Sequence, residues 1–297
     1  MATQTNSFSL FLAVDGSEYS RIAAELICTL PIAQNSKVIA LAVLDTPHTL
    51  RRQLLLDALS QIEVCFNKKG IPIETGLLHG HPAYALASFA EERHPDLIVL
   101  GAKGLRATLG ILLGGIAQQV IEYAHWPVLI VRPPSKPINR ILAATDGSES
   151  SEYTLNYLAK FPFSSGTEIH LVYVIPPYPE RGIDSMPHVM LGGSDSLHPL
   201  PIELLEDSET WQKQAEEKAN SALVHGKEIL TSANLTIIDK LLSGDAATEL
   251  LKYSSENKID LIVAGSRGLS QVSGWLLGSV SRKLVHYANC SVLIVRK

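Results

Sequence analysis

The chain has 297 residues, of which 46% are hydrophobic, and its formal net charge is -5. A negative charge argues against nucleic acid as a main partner, because binding to a phosphate backbone needs a basic face. The absence of any apolar run of about 18 residues argues against a membrane partner. The three cysteines are far apart and suggest no disulfide framework, and the first nine residues lack a leader pattern, so we expect a cytoplasmic protein.

Short apolar runs alternate with longer amphipathic segments along the chain. In the first half we predict strands at residues 10–15, 38–44, 73–78, 97–101 and 128–131. Several of these runs are apolar at every position, which is typical of strands covered on both faces. Apolar residues recur at helical spacing in the segments between them, for example at Ile116, Val120 and Ile121.

The same pattern occurs twice. Asp15-Gly16-Ser17 returns as Asp146-Gly147-Ser148, and the glycine-rich segment 101–104 returns as 265–268. The first pair is 131 residues apart and the second 164, so the second copy contains 33 additional residues. We predict domains at 1–133 and 138–297, joined by a proline-rich connector, with the insertion at about 176–210.

Alternation of strands and helices predicts an α/β fold. Each copy should form a five-stranded parallel sheet between two helical layers, with strand order 3-2-1-4-5. Ligands bind such sheets at the carboxyl ends of the strands where the order reverses. In this sequence those ends are Asp15 with residues 101–104, and Asp146 with residues 265–268.

The second copy has the fuller anion-binding motif. Gly265 and Gly268 are followed, after nine residues, by Gly278-Ser279 at the predicted start of the last helix. Glycines let backbone N–H groups approach a ligand, and a helix N-terminus attracts phosphate. The Ser279 hydroxyl can donate to a phosphate oxygen. Further contacts are predicted from Arg267, Val280 and Ser281.

The first copy keeps the glycine spacing but loses two hydroxyls. Gly101, Gly104 and Gly114 match the second copy, whereas Gly115 stands in place of Ser279 and Ala117 in place of Ser281. A hydrogen bond to a charged phosphate contributes roughly 1.5–3 kcal/mol, so one loss costs about tenfold or more in affinity. We therefore expect weaker binding in the first copy, or none.

This combination of motifs resembles the universal stress protein family. The resemblance rests on the aspartate that ends the first strand, on the glycine loop after the fourth strand, and on their repetition over almost the whole chain. It implies a fold like that of the adenine-nucleotide α-hydrolases. It also implies that the fifth strands, 128–131 and 292–295, pair within the chain as a pseudo-twofold dimer, and it is compatible with a homodimer of whole chains.

The resemblance further implies ATP as the ligand, together with Mg²⁺. Asp146 would hold the ribose or a phosphate-bound Mg²⁺, and the backbone at Val174 would face the adenine. Gly265, Gly268, Gly278 and Ser279 would line the triphosphate. The matching residues of the first copy are Asp15, Val43, Gly101, Gly104, Gly114 and Gly115. For both aspartates a second role stays open, which is to cap the helix that follows.

We therefore predict an ATP-binding signalling protein of the stress response. No base or nucleophile is evident, so no catalytic residue is expected and any hydrolysis should be slow. Two alternatives stay open, a nucleotide-free interaction module and a slow ATP hydrolase. His79 and His81 have no third ligand at a sensible spacing, so no metal site is predicted from them.

The insertion has the composition of a loop that leads into a helix. Its prolines and glycines predict irregular structure, and apolar residues from Trp211 to Leu230 then recur at near-helical spacing. A surface excursion is the simpler interpretation, since long loops cost little entropy. A lid beside the second site is the alternative.

Overall fold

The computed structural model describes residues 7–105, 113–134, 136–178, 208–231, 235–268 and 277–296. Within these ranges strands and helices alternate. The first copy comprises β1 (Ser9–Val14), α1 (Glu18–Ile27), β2 (Lys37–Leu44), α2 (Thr49–Lys68), β3 (Ile73–His79), α3 (Pro82–Arg93), β4 (Leu97–Gly101), α4 (Gly115–Tyr123) and β5 (Val128–Val131). The second copy comprises β6 (Arg140–Ala144), α5 (Glu149–Lys160), β7 (Glu168–Ile175), α6 (Ser208–Thr231), β8 (Thr236–Ser243), α7 (Ala246–Glu256), β9 (Leu261–Gly265), α8 (Ser279–Tyr287) and β10 (Ser291–Val295).

Every predicted strand of the first copy is confirmed, with ends that differ by at most one residue. The largest difference is at β1, which covers residues 9–14 where we predict 10–15. Asp15 lies just beyond this strand because its carboxylate accepts from the backbone N–H of Ser17 and starts the turn into α1.

All ten strands form one sheet. Its order is β3-β2-β1-β4-β5-β10-β9-β6-β7-β8, which confirms the order 3-2-1-4-5 in each copy. Neighbouring strands are parallel everywhere except at the centre, where β5 and β10 pair antiparallel and Leu129 lies opposite Leu293. The predicted pairing of the fifth strands is therefore confirmed, and the pseudo-twofold axis passes between them.

Helices cover both faces of the sheet, as continuously apolar strands require. On one face α1, α2, α5 and α6 pack on a hydrophobic cluster that includes Leu12 and Leu171. On the other face α3, α4, α7 and α8 pack on a second cluster that includes Ile130 and Ile294. Each cluster extends across both copies, so the two halves share their core.

Two arginines join the copies around the central strand pair. The guanidinium of Arg132, which follows β5, donates to the carbonyls of Val285 and Cys290 in the second copy. In return, Arg296 follows β10 and donates to the carbonyls of Ile121 and Glu122 at the end of α4. A cation at a helix C-terminus also interacts favourably with the helix dipole.

The helix predicted after the insertion is confirmed as α6, whose buried residues are Ala219, Leu223, Gly226 and Leu230. It begins at Ser208, two residues before the end of the predicted loop. Most of the insertion, residues 179–207, lies outside the described residues, so the lid stays an alternative prediction. In the described part of the chain, no helix combines the length and apolar character that a membrane crossing requires.

Candidate functional site

A cavity of about 860 Å³ opens at the carboxyl ends of β1, β2 and β4. This is the point of strand-order reversal in the first copy, and the volume is within the range typical of small-molecule sites. The six residues that the sequence predicts for the first copy all line it, namely Asp15, Val43, Gly101, Gly104, Gly114 and Gly115.

The Asp15 carboxylate joins the end of β1 to the glycine loop. Its Oδ1 accepts from the N–H of Ser17 at 2.9 Å, and its Oδ2 accepts from the N–H of Leu105 at 3.1 Å. The helix α1 is capped by Ser17, whose Oγ accepts from the N–H of Ser20 at 3.1 Å. Ser17, and not Asp15, is thus the N-cap, so Asp15 organises the site instead.

Asp146 repeats this arrangement in the second copy. Its Oδ1 accepts from the N–H of Ser148 at 3.0 Å, and Ser148 in turn caps α5 through the N–H of Ser151. Burial raises the pKa of Tyr173, and the negative charge of Asp146 raises it further. The carboxylate therefore lies near Tyr173 of β7.

The glycines after the fourth strands serve two different close approaches. A Cβ on Gly104 would lie 2.5 Å from Oδ2 of Asp15, and a Cβ on Gly268 would lie 2.5 Å from Oδ2 of Asp146. These two glycines let the loop touch the aspartate. A Cβ on Gly101 would instead meet the backbone of Tyr19 in α1 at 2.7 Å. This glycine is required for helix packing whether or not a ligand binds.

The start of the fourth helix lies beside the loop in both copies. The N–H of Gly114 donates to the carbonyl of Ala102 at 2.7 Å, and the N–H of Gly278 donates to that of Ser266 at 2.8 Å. Both glycines are N-caps, and a glycine has no side chain that could accept from the first-turn N–H groups. The positive ends of these helices are therefore suited to an anion.

Two serines near the start of α8 have different environments. Ser279 is exposed at the first helical position, where its hydroxyl can reach a ligand. Ser281 is buried, and its Oγ donates to the carbonyl of Gly265 at 2.6 Å. This hydrogen bond connects α8 to β9. Val280, between them, packs partly buried against the core.

The second strand of each copy extends beyond the first. Pairing of β1 with β2 ends at Ala42, whereas β2 continues alongside β3 to Leu44. In the second copy, pairing of β6 with β7 ends at Val172 and β7 continues to Ile175. Val43 and Val174 therefore lie where the backbone edge of the strand faces the site.

The structure adds side chains that the sequence analysis missed. Arg51, in the first turn of α2, lines the cavity, and its Nε is buried with no hydrogen-bond partner among the described residues. His286 and Tyr287 line it too, although both belong to the second copy. No motif marks these residues, and only the pairing of β5 with β10 brings the last two to the first copy.

The second copy's loop is described only in part. Residues 269–276 lie outside the described ranges, so the structure leaves the part of the site that they form unassigned. Arg267 lies just before this gap. Burial lowers the pKa of Arg296, and the positive charge of Arg267 lowers it further. In the residues that are described, no three His, Cys, Asp or Glu side chains form a group that could hold a metal ion.

Comparison with known proteins agrees with this architecture. The model of the universal stress protein family matches residues 9–132 and again residues 137–296. Universal stress protein MJ0531 of Methanocaldococcus jannaschii is 31% identical over 141 residues, which are 43% of this chain and 83% of that protein. Universal stress protein MT2698 of Mycobacterium tuberculosis is 25% identical over 254 residues, which are 83% of this chain and 76% of that protein.

A solved structure has the same fold over nearly the full length. It is the crystal structure of a universal stress protein from Archaeoglobus fulgidus, with a TM-score of 0.66 and 18% identity, and the match covers 99% of this chain and 97% of that one. With two family matches in tandem, the chain belongs to the universal stress protein family.

Proposed function

We propose that this protein binds ATP and acts in stress signalling in the cytoplasm through a nucleotide-dependent change of conformation or assembly. The observation that supports the proposal most directly is the cavity of about 860 Å³, because all six residues predicted for the first copy line it. The proposed functional units are residues 1–133 and 138–297. Binding can shift a conformational equilibrium only if ATP prefers one of the two states.

The geometry suggests how a nucleotide would be oriented. Its phosphates would accept from the N–H groups at the start of α4 or α8, where the helix dipole is positive. Its adenine would lie against the exposed backbone edge at Val43 or Val174. The ribose, or a phosphate-bound Mg²⁺, would lie near Asp15 or Asp146.

The residues fit Mg²⁺ only as a partner of the phosphates. Asp15 already accepts two backbone hydrogen bonds, and a carboxylate has about four acceptor positions, so about two are left for a bound cation or a ribose hydroxyl. Bound Mg²⁺ would neutralise phosphate charge near this carboxylate. The protein's own part is to hold the aspartate in place through the N–H groups of Ser17 and Leu105.

Both copies are candidate sites for different reasons. The first copy has a described cavity that includes Arg51 and Lys103 as cationic side chains. The second has the Ser279 hydroxyl, exposed at the start of α8. We propose that the second copy binds more tightly, since a hydrogen bond from a hydroxyl to a charged phosphate contributes roughly 1.5–3 kcal/mol.

The direct test is calorimetric titration of the purified chain with ATP, AMP and adenosine, together with mass spectrometry of any small molecule that co-purifies. We expect ATP to bind with a dissociation constant below about 1 mM. Absence of binding at that concentration would favour the nucleotide-free interaction module. Steady phosphate release that disappears in Asp146→Asn would favour the ATP hydrolase.

A further inference from the structure

The last turn of α8 in the second copy forms part of the wall of the first-copy cavity. Because β5 and β10 are antiparallel, α4 and α8 run in opposite directions on the same face of the sheet. The end of α8 therefore lies next to the beginning of α4. His286 and Tyr287 line the cavity together with Gly115 and Ile116.

The core of the pair holds this turn in place. The guanidinium of Arg132 donates to the carbonyls of Val285 and Cys290, on either side of His286 and Tyr287. The backbone N–H of Arg132 also donates to Oγ of Ser291 at 3.2 Å. Only 7% of Arg132 is exposed. The position of the turn thus follows from the pairing of the two copies.

His286 and Tyr287 share the cavity with the start of α4, where the phosphates are proposed to bind. Gly115 begins α4, whose first-turn N–H groups have no intrahelical acceptors, and it lines the same cavity as the α8 turn. An imidazole and a phenol can both donate to phosphate oxygens. Tyr287 is 62% exposed, so its hydroxyl can turn toward a ligand without disturbing the core.

We propose that the first-copy cavity is a composite site, in which His286 and Tyr287 of the second copy contact the phosphate end of an adenine nucleotide held by the first copy. The inference rests on the proposed nucleotide-binding function and extends it. A nucleotide bound here touches both domains and stabilises their pairing. The contact also compensates in part for the hydroxyl that Gly115 lacks.

The repeat supplies a matched control. At the same shift of 164 residues, the counterparts of His286 and Tyr287 are Glu122 and Tyr123 at the end of α4. Arg296 holds that end through the carbonyls of Ile121 and Glu122, as Arg132 holds the end of α8. A carboxylate would repel phosphates where an imidazole donates to them. The composite contact is therefore specific to the first copy.

The test compares ATP with adenosine, which has no phosphate. In a Ser279→Asp background, which places a carboxylate at the second copy's helix start, we would titrate His286→Ala/Tyr287→Ala and Glu122→Ala/Tyr123→Ala with each ligand. We expect the first double variant to lose about tenfold in ATP affinity and to keep its adenosine affinity. The second should match the parent with both ligands.

Each outcome decides a separate point. Unchanged ATP affinity in the His286/Tyr287 variant, while the parent binds ATP, overturns the composite site and leaves the proposed function intact. An equal loss for adenosine and ATP also overturns it, because the residues would then only shape the cavity. If neither the unsubstituted chain nor the Ser279→Asp variant binds either ligand, the proposed function itself is contradicted. Tyr287→Phe, which removes only the hydroxyl, should give an intermediate loss and guards against a misfolded double variant.

Discussion

The guanidinium of Arg132, just after the last strand of the first copy, donates to the main-chain carbonyl of Val285 in the last helix of the second. Arg296 makes the reciprocal contact with Ile121. Each arginine thus holds the helix of the opposite copy by its C-terminal end, where the carbonyls lack intrahelical partners. Burial lowers the pKa of Arg132, which shows that this charge is held at a cost in hydration.

Replacing Arg132 by methionine should destabilise the whole chain. The carbonyls of Val285 and Cys290 would lose a charged donor while staying in a buried environment, so we expect the free energy of unfolding to fall by about 2 kcal/mol. Urea unfolding followed by circular dichroism measures this. Arg140→Met is the control, because Arg140 is exposed and its guanidinium has only surface contacts, with Glu168 and with the carbonyl of Asn257. It should change stability by less than about 0.5 kcal/mol. Equal effects of the two substitutions would contradict the bridging role of Arg132.

Adding a methyl group at Gly104 should disturb the aspartate that joins strand and loop. The new Cβ would lie 2.5 Å from Oδ2 of Asp15, so the carboxylate must move away from the N–H of Leu105. We expect Gly104→Ala to lower the free energy of unfolding by about 1–3 kcal/mol. Gly115 lies in the first turn of α4, and a Cβ built there has no neighbour within 4 Å among the described residues, so Gly115→Ala should be neutral or slightly stabilising. Thermal unfolding compares the two, and a neutral Gly104→Ala would contradict the prediction.

Restoring the missing hydroxyl should strengthen binding in the first copy. In the described part of the chain nothing crowds a Cβ at Gly115, so Gly115→Ser can place a hydroxyl where Ser279 stands in the second copy. We expect about a tenfold gain in ATP affinity at the first site, and about a tenfold loss at the second site in Ser279→Gly. Gly115→Ala supplies the bulk without the donor and should gain nothing. A gain with alanine equal to that with serine would show that helix propensity, and not the hydroxyl, is responsible.

Arg51 should contribute to ligand affinity because its Nε is buried beside the cavity without a described partner. An anion or an acceptor atom of the ligand would satisfy it. We expect Arg51→Ala to weaken ATP binding by about tenfold, as calorimetry would measure. Its neighbour Arg52 is on the same helix but is exposed to solvent, so Arg52→Ala removes an equal charge at a position away from the cavity. This variant should keep its ATP affinity within about twofold of the parent. Similar losses in both variants would point to net charge alone.

Two cysteines should be slow to alkylate near neutral pH. Burial raises the pKa of Cys28 to about 12, with a further contribution from Cys65, and burial raises the pKa of Cys290 to about 11. A raised pKa means less thiolate at a given pH, so at pH 8 both should react at least about a hundredfold more slowly with iodoacetamide in the folded chain than in urea. The native rates should go on rising up to about pH 11. Mass spectrometry of the labelled sites measures this, and fast labelling of the native chain at pH 8 would contradict it.

Much of the fold could be predicted from local patterns in the sequence. The apolar runs predict the strands of the first copy to within one residue, because strands covered on both faces need apolar side chains at every position. The repeat predicts the two copies, and the order of strands predicts that Asp15 and Gly104 meet, as they do. All of these follow from local patterns and from their repetition along the chain, so the sequence alone was sufficient to predict them.

Other features were decided only by the tertiary structure. Gly101 is needed because the backbone of Tyr19 in α1 packs on it, and a glycine spacing cannot separate this reason from ligand approach. Arg51 carries no motif and becomes a cavity residue only when α2 docks beside β2. His286 and Tyr287 reach the first copy because β5 and β10 pair in one antiparallel register. Contacts between residues more than 150 positions apart depend on that register, which no local periodicity specifies.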